Sequence, residues 1–352
     1  MKMSIYRGFA GTYTNGDSEG IYSFILDTDR QMLDRTELAA RLDNPTYLTF
    51  SEDDRRLYSV IKKDGSGGVA AFAVTPEGRL KILDEQISKG APPCYVGVDR
   101  ENHHLLSANY HKGTVAVYPI GENRGAGPAS DVVHHQGSGA DRSRQEGPHV
   151  HFADYTPDGR FVVAIDLGTD TLTTYQEAKG KLIRQDVLAF KPGTGPRHLA
   201  FHPKAPFAYV MSEISSEVIV LRFDAASGHF SVLQTIRALP AAFRGHNQGS
   251  AIRIPADGRF VYVSNRGDNS IVLFGADKES GTLTLLDRVS TGGEWPRDFA
   301  LDPSERFLIA ANQNTGSLVL FTRDPETGRL AATGSKLAVP DPVCVKFLHA
   351  PR

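Results

Sequence analysis

The chain has 352 residues, 40% hydrophobic and 23% charged, with a formal net charge of -2; that is enough apolar residue to bury a large core, and the composition excludes a disordered or collagen-like chain. Near-neutral charge without a lysine or arginine run leaves no electrostatic footprint for nucleic acid. The start, MKMSIYRGFAGTYTNG, holds no apolar stretch of signal-peptide length and no segment approaches a membrane span, so the expectation is a soluble cytoplasmic protein with no nucleic-acid and no membrane partner.

From the N-terminus, YRGFAGTY, GIYSFILD and LDRTELAA read as three successive strands. A strand opening on proline then recurs: PTYLTF at Pro45, PCYVGV at Pro93, PHVHFA at Pro148, PRHLAF at Pro196, PRDFAL at Pro296 and PVCVKF at Pro342, with GSAIRI at Gly249 in the remaining gap. Seven such strands at roughly 46 to 55 residues match the span of a four-stranded propeller blade. Most copies continue into a polar turn (SEDDRR after Phe50, TPDGR at Thr156, PADGR at Pro255, DPSER at Asp302), where Pro and Gly supply the torsions a tight turn needs. A second strand follows (RLYSVI, FVVAID, FAYVMS, FVYVSN, FLIAAN), then a third rich in β-branched and aromatic residues (GGVAAFAV, GTVAVYPI, DTLTTYQE, SEVIVLRF, NSIVLFGA, GSLVLFTR), then a weaker fourth such as RLKILDEQ or TLTLLDRV. Almost no stretch carries helical periodicity.

The N-terminus lacks a proline-led first strand and the C-terminus supplies one, DPVCVKFL. Joined, they complete a seventh blade and remove the free edges of an open array. The expectation is an all-β chain, 1–352, forming one seven-bladed β-propeller of four-stranded antiparallel blades closed by its two ends. Two connections are long, Gly121 to Glu146 and Leu239 to Gln248. A structureless loop of that length is functional or floppy, and the first feeds directly into the strand at Pro148. Cys94 and Cys344 fall near strand starts in different repeats, which suits neither a disulfide framework nor a structural zinc site.

In a propeller every first strand starts at the face where every second strand ends, so positions just after the aligned proline and at the second-to-third strand loops converge on one mouth of the central channel. The first strands contribute His149, His151, Arg197, His198 and Arg297; the loops contribute Asn109, Tyr110, His111, Asp166, Asp170, Glu213, Asn265, Arg266, Asn312 and Gln313. Other copies place Thr46, Cys94, Ser250 and Val343 at the equivalent positions, and this concentration of polar groups in part of the ring favours a site over a solvated face. His149 and His151 stand two apart, so a regular pleat puts both on one face. Bland readings compete: Asn109, Asp170 and Asn265 as groups bonding local backbone, and Arg197, Arg266 and Arg297 as ion-paired arginines tying blades together. His103, His104, His134, His135 and His229 have no supporting neighbours and read as surface. No familiar metal-ligand spacing occurs, so neither metal nor other cofactor is expected.

GPHVH, GPRHLAFHP at Gly195, SEISSEV at Ser212, SNRGDNSI at Ser264 and EWPRDFALDPSERFLIAANQN at Glu294 resemble, in order and over essentially the whole chain, the bacterial propeller lactonase family of 6-phosphogluconolactonase type, which is related to carboxymuconate lactonizing enzymes. The resemblance implies hydrolysis of a sugar phosphate lactone, 6-phosphoglucono-1,5-lactone, in the pentose phosphate route. It matches family residues to His151, Arg197, His198, Glu213, Arg266 and Arg297; with the positions at the mouth, the expectation is His151, Glu213 and Arg197 as catalytic residues and His149, Asp166, His198, Arg266, Arg297, Asn312 and Gln313 as substrate-binding ones. His151 or Glu213 takes a proton from water, Arg197 or Arg266 stabilises the oxyanion, and a remaining arginine such as Arg297 holds the phosphate. One departure stands out: relatives often carry an acidic residue in the first strand at Gly249, where this chain has Ala251. The rival readings are a carboxymuconate-type lactonizing cyclase and a non-enzymatic binding platform. A monomer or weak homodimer is expected.

Overall fold

A computed structural model describes residues 4–75, 77–122 and 125–349. Among them are seven separate four-stranded antiparallel sheets and no helix. Six blades run in chain order over 48–89, 95–134, 150–189, 196–237, 248–290 and 296–338. The seventh joins the C-terminal strand Pro342–Phe347 to Ile5–Thr12, Gly20–Asp27 and Met32–Arg41. Each first strand contacts the first strands of both neighbouring blades, so the seven first strands ring a common centre.

Burial follows from that layout. Second and third strands are sandwiched between adjacent blades and read as nearly unbroken buried runs, for example Phe207–Ser212 and Phe307–Asn312. Fourth strands lie outermost and alternate, as in Lys181–Ala189 and Leu330–Ala338. The polar turns form as their residues dictate. At Thr156 the hydroxyl donates to Asp158 at 2.6 Å and accepts from the Phe161 amide at 3.1 Å, while Gly159 takes the left-handed torsion (φ 68).

Adjacent blades are clasped by tyrosines in second strands. Tyr209 donates to the Gly281 carbonyl at 3.0 Å and Tyr262 to the Gly328 carbonyl at 2.5 Å, each reaching the third-to-fourth turn of the next blade. Both glycines have φ 72, and an added Cβ would come within 2.5 Å of Phe207 and 2.6 Å of Phe260 respectively. The blade junction therefore requires the absence of a side chain there.

Two expectations are corrected. The connection 121–146 is not structureless: Asp131–His134 pairs with Thr114–Pro119 as the fourth strand of its blade. At four residues, flanked by Gly, Ser and charge, it was too short for the alternation of strand residues to be seen. His135 is not a surface residue. Its side chain is 7% exposed, with Nδ1 2.9 Å from Asp166 and Nε2 2.8 Å from the Tyr175 hydroxyl.

Candidate active site

The first strands carry a feature that positions the site. In five of the seven the pairing slips by one residue next to the opening proline or its equivalent; in the three of these that carry basic site candidates, Val150 and Phe152 pair with Asp166 and Ile165, Pro196 and His198 with Ser212 and Met211, Pro296 and Asp298 with Asn312 and Ala311. The residues left out of register are His151, Arg197 and Arg297. A bulge of this kind re-aims the extra side chain out of the ladder, so the same irregularity repeated in three blades turns an imidazole and two guanidiniums toward the channel mouth.

A cavity of about 290 Å³ opens there, lined by His151, Glu213, Arg266 and Arg297, together with Tyr13, Cys94, Tyr110, Arg144 and Gln248. Imidazole 151 and carboxylate 213 thus share one wall. Glu213 is the cavity's organising charge. Its Oε2 accepts from Arg266 Nη2 at 2.5 Å and Arg197 Nε at 3.1 Å, and its Oε1 from Arg144. Arg266 and Arg197 continue to the Gly249 and Ser250 carbonyls at 2.9 and 3.0 Å. Burial opposes ionisation of Glu213, but the Arg266 and Arg197 guanidiniums, with Arg144, outweigh it and hold the carboxyl well below the ordinary carboxylate range. Three guanidiniums (Arg144, Arg266, Arg297) line the cavity with a single carboxylate, and Arg197 backs that carboxylate, so the cavity carries excess positive charge. Arg297, stacked over the Tyr13 ring at 5.4 Å, makes no ion pair among the described residues.

His151 is buried, and burial followed by repulsion from Arg197 drives its pKa well below the usual histidine value. Its Nδ1 has no hydrogen-bond partner. The ring is therefore neutral at physiological pH. Arg266 is also buried, its Nε is unpartnered, and its guanidinium lies 5.6 Å from the Trp295 ring. Burial pushes the Cys94 thiol up to about 12, which removes it as a thiolate nucleophile.

Of the other expected residues His111 also lines the cavity, and the following lie behind this wall or away from it. Arg197 is 3% exposed and reaches the cavity through Glu213. His198, after the bulge, lies against the Arg197 guanidinium at 3.4 Å and packs edge-on against Tyr47, Tyr95 and His151. His149 and His151 do not share a face, because His149 precedes the strand and His151 sits in the bulge. They flank one ring instead: His149 stacks on Tyr110 at 4.1 Å and approaches its carbonyl at 2.9 Å, while His151 meets Tyr110 edge-on. His149 Nε2 lies 3.2 Å from Glu146 without hydrogen-bond alignment. Asp166 accepts the His149, Gly168 and Thr169 amides and pairs with His135. Asn312 donates to the Thr291 carbonyl, and neither it nor Gln313 lines the cavity. Asp170 bonds backbone, but that of Gly193 and Gly195 rather than its own turn. Ala251 belongs to an apolar cluster with Phe260 and Phe299, so the departure there removes no group from the cavity wall.

Arg144, Tyr13 and Gln248 were not among the residues expected from the sequence. For Arg144 the available signal was the long connection leading into the histidine strand. Among the described residues no group of three His, Cys, Asp or Glu could hold a metal ion, and no helix is long and apolar enough to cross a membrane.

The family model described as "Lactonase, 7-bladed beta-propeller" matches residues 7–347. Over 349 residues, 99% of each chain, the protein is 50% identical to a Bacillus subtilis protein named 6-phosphogluconolactonase. Among solved structures, a Lactobacillus plantarum protein superposes with TM-score 0.94 at 41% identity, covering 98% of this chain and 100% of its own. The Pseudomonas aeruginosa periplasmic gluconolactonase superposes with TM-score 0.92 at 34% identity, covering 99% and 100%.

Proposed function

Because the chain belongs to the seven-bladed β-propeller lactonase family and is a lactone hydrolase, we propose that it hydrolyses 6-phosphoglucono-1,5-lactone to 6-phosphogluconate, a step of the pentose phosphate pathway, in the cytoplasm. The observation that carries this reading is the charge of the cavity: three guanidiniums, Arg144, Arg266 and Arg297, line it with one carboxylate, beside a neutral histidine. A phosphorylated lactone brings the missing anion and the electrophile.

In this mechanism His151 accepts a proton from water as the water oxygen attacks the lactone carbonyl. Negative charge develops on the former carbonyl oxygen, where the Arg266 guanidinium, which lines the cavity, stabilises it; one such donor is worth ~10²–10³ in rate. The tetrahedral intermediate collapses by breaking the bond to the ring oxygen, and the proton held on His151 passes to that oxygen as it leaves. Arg297 holds the phosphate. Glu213, ionised and saturated by arginines, is a poor base; it orients Arg266, with Arg197 bracing it from behind. A coupled assay offering 6-phosphogluconolactone, unphosphorylated gluconolactone and a carboxymuconate, with spontaneous hydrolysis subtracted, tests the assignment. Preferred turnover of the phosphorylated lactone supports it; turnover of the carboxymuconate alone replaces it with lactonizing chemistry.

A further inference from the structure

The three guanidiniums on Glu213 are not equivalent. Arg197 and Arg266 come from blade strands, both bind Oε2, and their side chains are 4% and 2% exposed. Arg144 binds Oε1, comes from the connection between two blades, and is 30% exposed at the cavity mouth. Two buried arginines already exceed the charge of one carboxylate, so Glu213 is compensated without Arg144. A third guanidinium directed at a site already in cationic excess is electrostatically unfavourable unless a further anion joins it.

The connection is built to keep it there. Gln145 is fully buried; its amide donates to the Leu167 carbonyl at 2.8 Å, its Oε1 accepts from the Asp141 amide at 2.9 Å, and its own amide donates to the Asp141 carbonyl at 2.6 Å. Upstream, His135 is fixed between Asp166 and Tyr175. Two buried polar anchors thus pin a segment whose apolar contribution is small, and satisfied buried polar networks of this kind fix geometry rather than add hydrophobic stability. Arg144 also lies beside the Tyr110 hydroxyl, and Tyr110 is held in place by the His149 stack.

We propose that Arg144 is a specificity-determining residue of this lactonase: with Arg297, which has no ion pair among the described residues, it grips the exocyclic phosphate and makes the enzyme prefer a phosphorylated lactone over the same ring without phosphate. The proposal rests on the functional reading above. Two guanidinium forks match the oxygens of a phosphate dianion, and an unphosphorylated gluconolactone offers only a neutral hydroxyl at that place.

The test compares kcat and KM for 6-phosphogluconolactone and glucono-1,5-lactone in wild type, Arg144→Gln, Arg144→Ala and Arg144→Lys, with thermal unfolding of each and inhibition by inorganic phosphate. In the neutral variants kcat/KM for the phosphorylated lactone falls by about 10- to 100-fold, chiefly through KM, the range of a charge-assisted hydrogen bond, while that for glucono-1,5-lactone changes little. Arg144→Lys recovers part of the preference, and phosphate inhibits wild type more strongly than Arg144→Gln or Arg144→Ala. Equal losses on both lactones would mean that Arg144 acts only through Glu213 and would overturn the proposal, as would an unchanged ratio between them. A wild-type enzyme that hydrolyses neither lactone overturns the functional reading and this proposal together, so the two failures are distinguishable.

Discussion

At the scale of single residues, the site divides its work between a group kept neutral and a group kept charged. His151→Ala removes the proposed proton acceptor, and lactone hydrolysis is expected to fall by ~10²–10⁴ with the fold intact, as measured by the coupled assay beside circular dichroism. The depressed pKa of His151, caused first by burial and then by Arg197, sets the pH dependence. The base must be neutral, so kcat/KM stays level as pH falls through the ordinary histidine value of ~6.5 and drops only well below it. An acid limb centred near ~6.5 would assign the base elsewhere. Glu213 acts differently. Glu213→Gln leaves Arg197 and Arg266 buried with an acceptor but no counter-charge, and breaking such a group by one partner costs about 3–5 kcal/mol. Urea unfolding should therefore show a large loss of stability in addition to the loss of activity. Both groups have folded pKa values below their unfolded ones, so their contribution to stability is present above the unfolded pKa and lost as pH falls through the folded value; the loss sets in below about 6.5 for His151 and below about 4.3 for Glu213.

The elements that hold these residues are repeated hairpins with one deviation each. A strand that pairs regularly sends alternate side chains to opposite faces. The slips at His151, Arg197 and Arg297 break that alternation where it matters. Between blades, the tyrosine clasp is a second repeated device. Tyr209→Phe leaves the Gly281 carbonyl without its donor and is expected to cost about 1 kcal/mol or somewhat more, read as a lowered urea midpoint with an unchanged m-value. Activity should be unaffected, because Tyr209 lies away from the cavity wall.

For the molecule as a whole, closure is the decisive event. Pro342–Phe347 is the innermost strand of a blade whose other three strands come from the opposite end of the sequence, and it contributes buried Val343, Cys344 and Val345. Deleting residues 342–352 uncovers Ile5–Thr12 as a free edge and opens the ring at the centre. The expected outcome is loss of the cooperative unfolding transition and association on size-exclusion chromatography. A deletion variant that remains monomeric with a wild-type melting profile would show that the ring does not depend on this closure.

The sequence alone determined the architecture, because a proline-led strand, a polar turn and a β-branched third strand recur often enough for their spacing to fix the blade count and the joining of the two ends. It also indicated that His151, Glu213, Arg266 and Arg297 gather at one mouth, since blade polarity follows from the order of strands. Only the tertiary structure decided which of the gathered groups line the cavity. Register slips are set by pairing across a hairpin and leave no mark in a linear pattern, so the placing of Arg197 behind Glu213, and the separation of His149 from His151, were not legible. Arg144 was hidden for a related reason: its place over Glu213 depends on buried anchors at His135 and Gln145, contacts between distant segments that no local periodicity records.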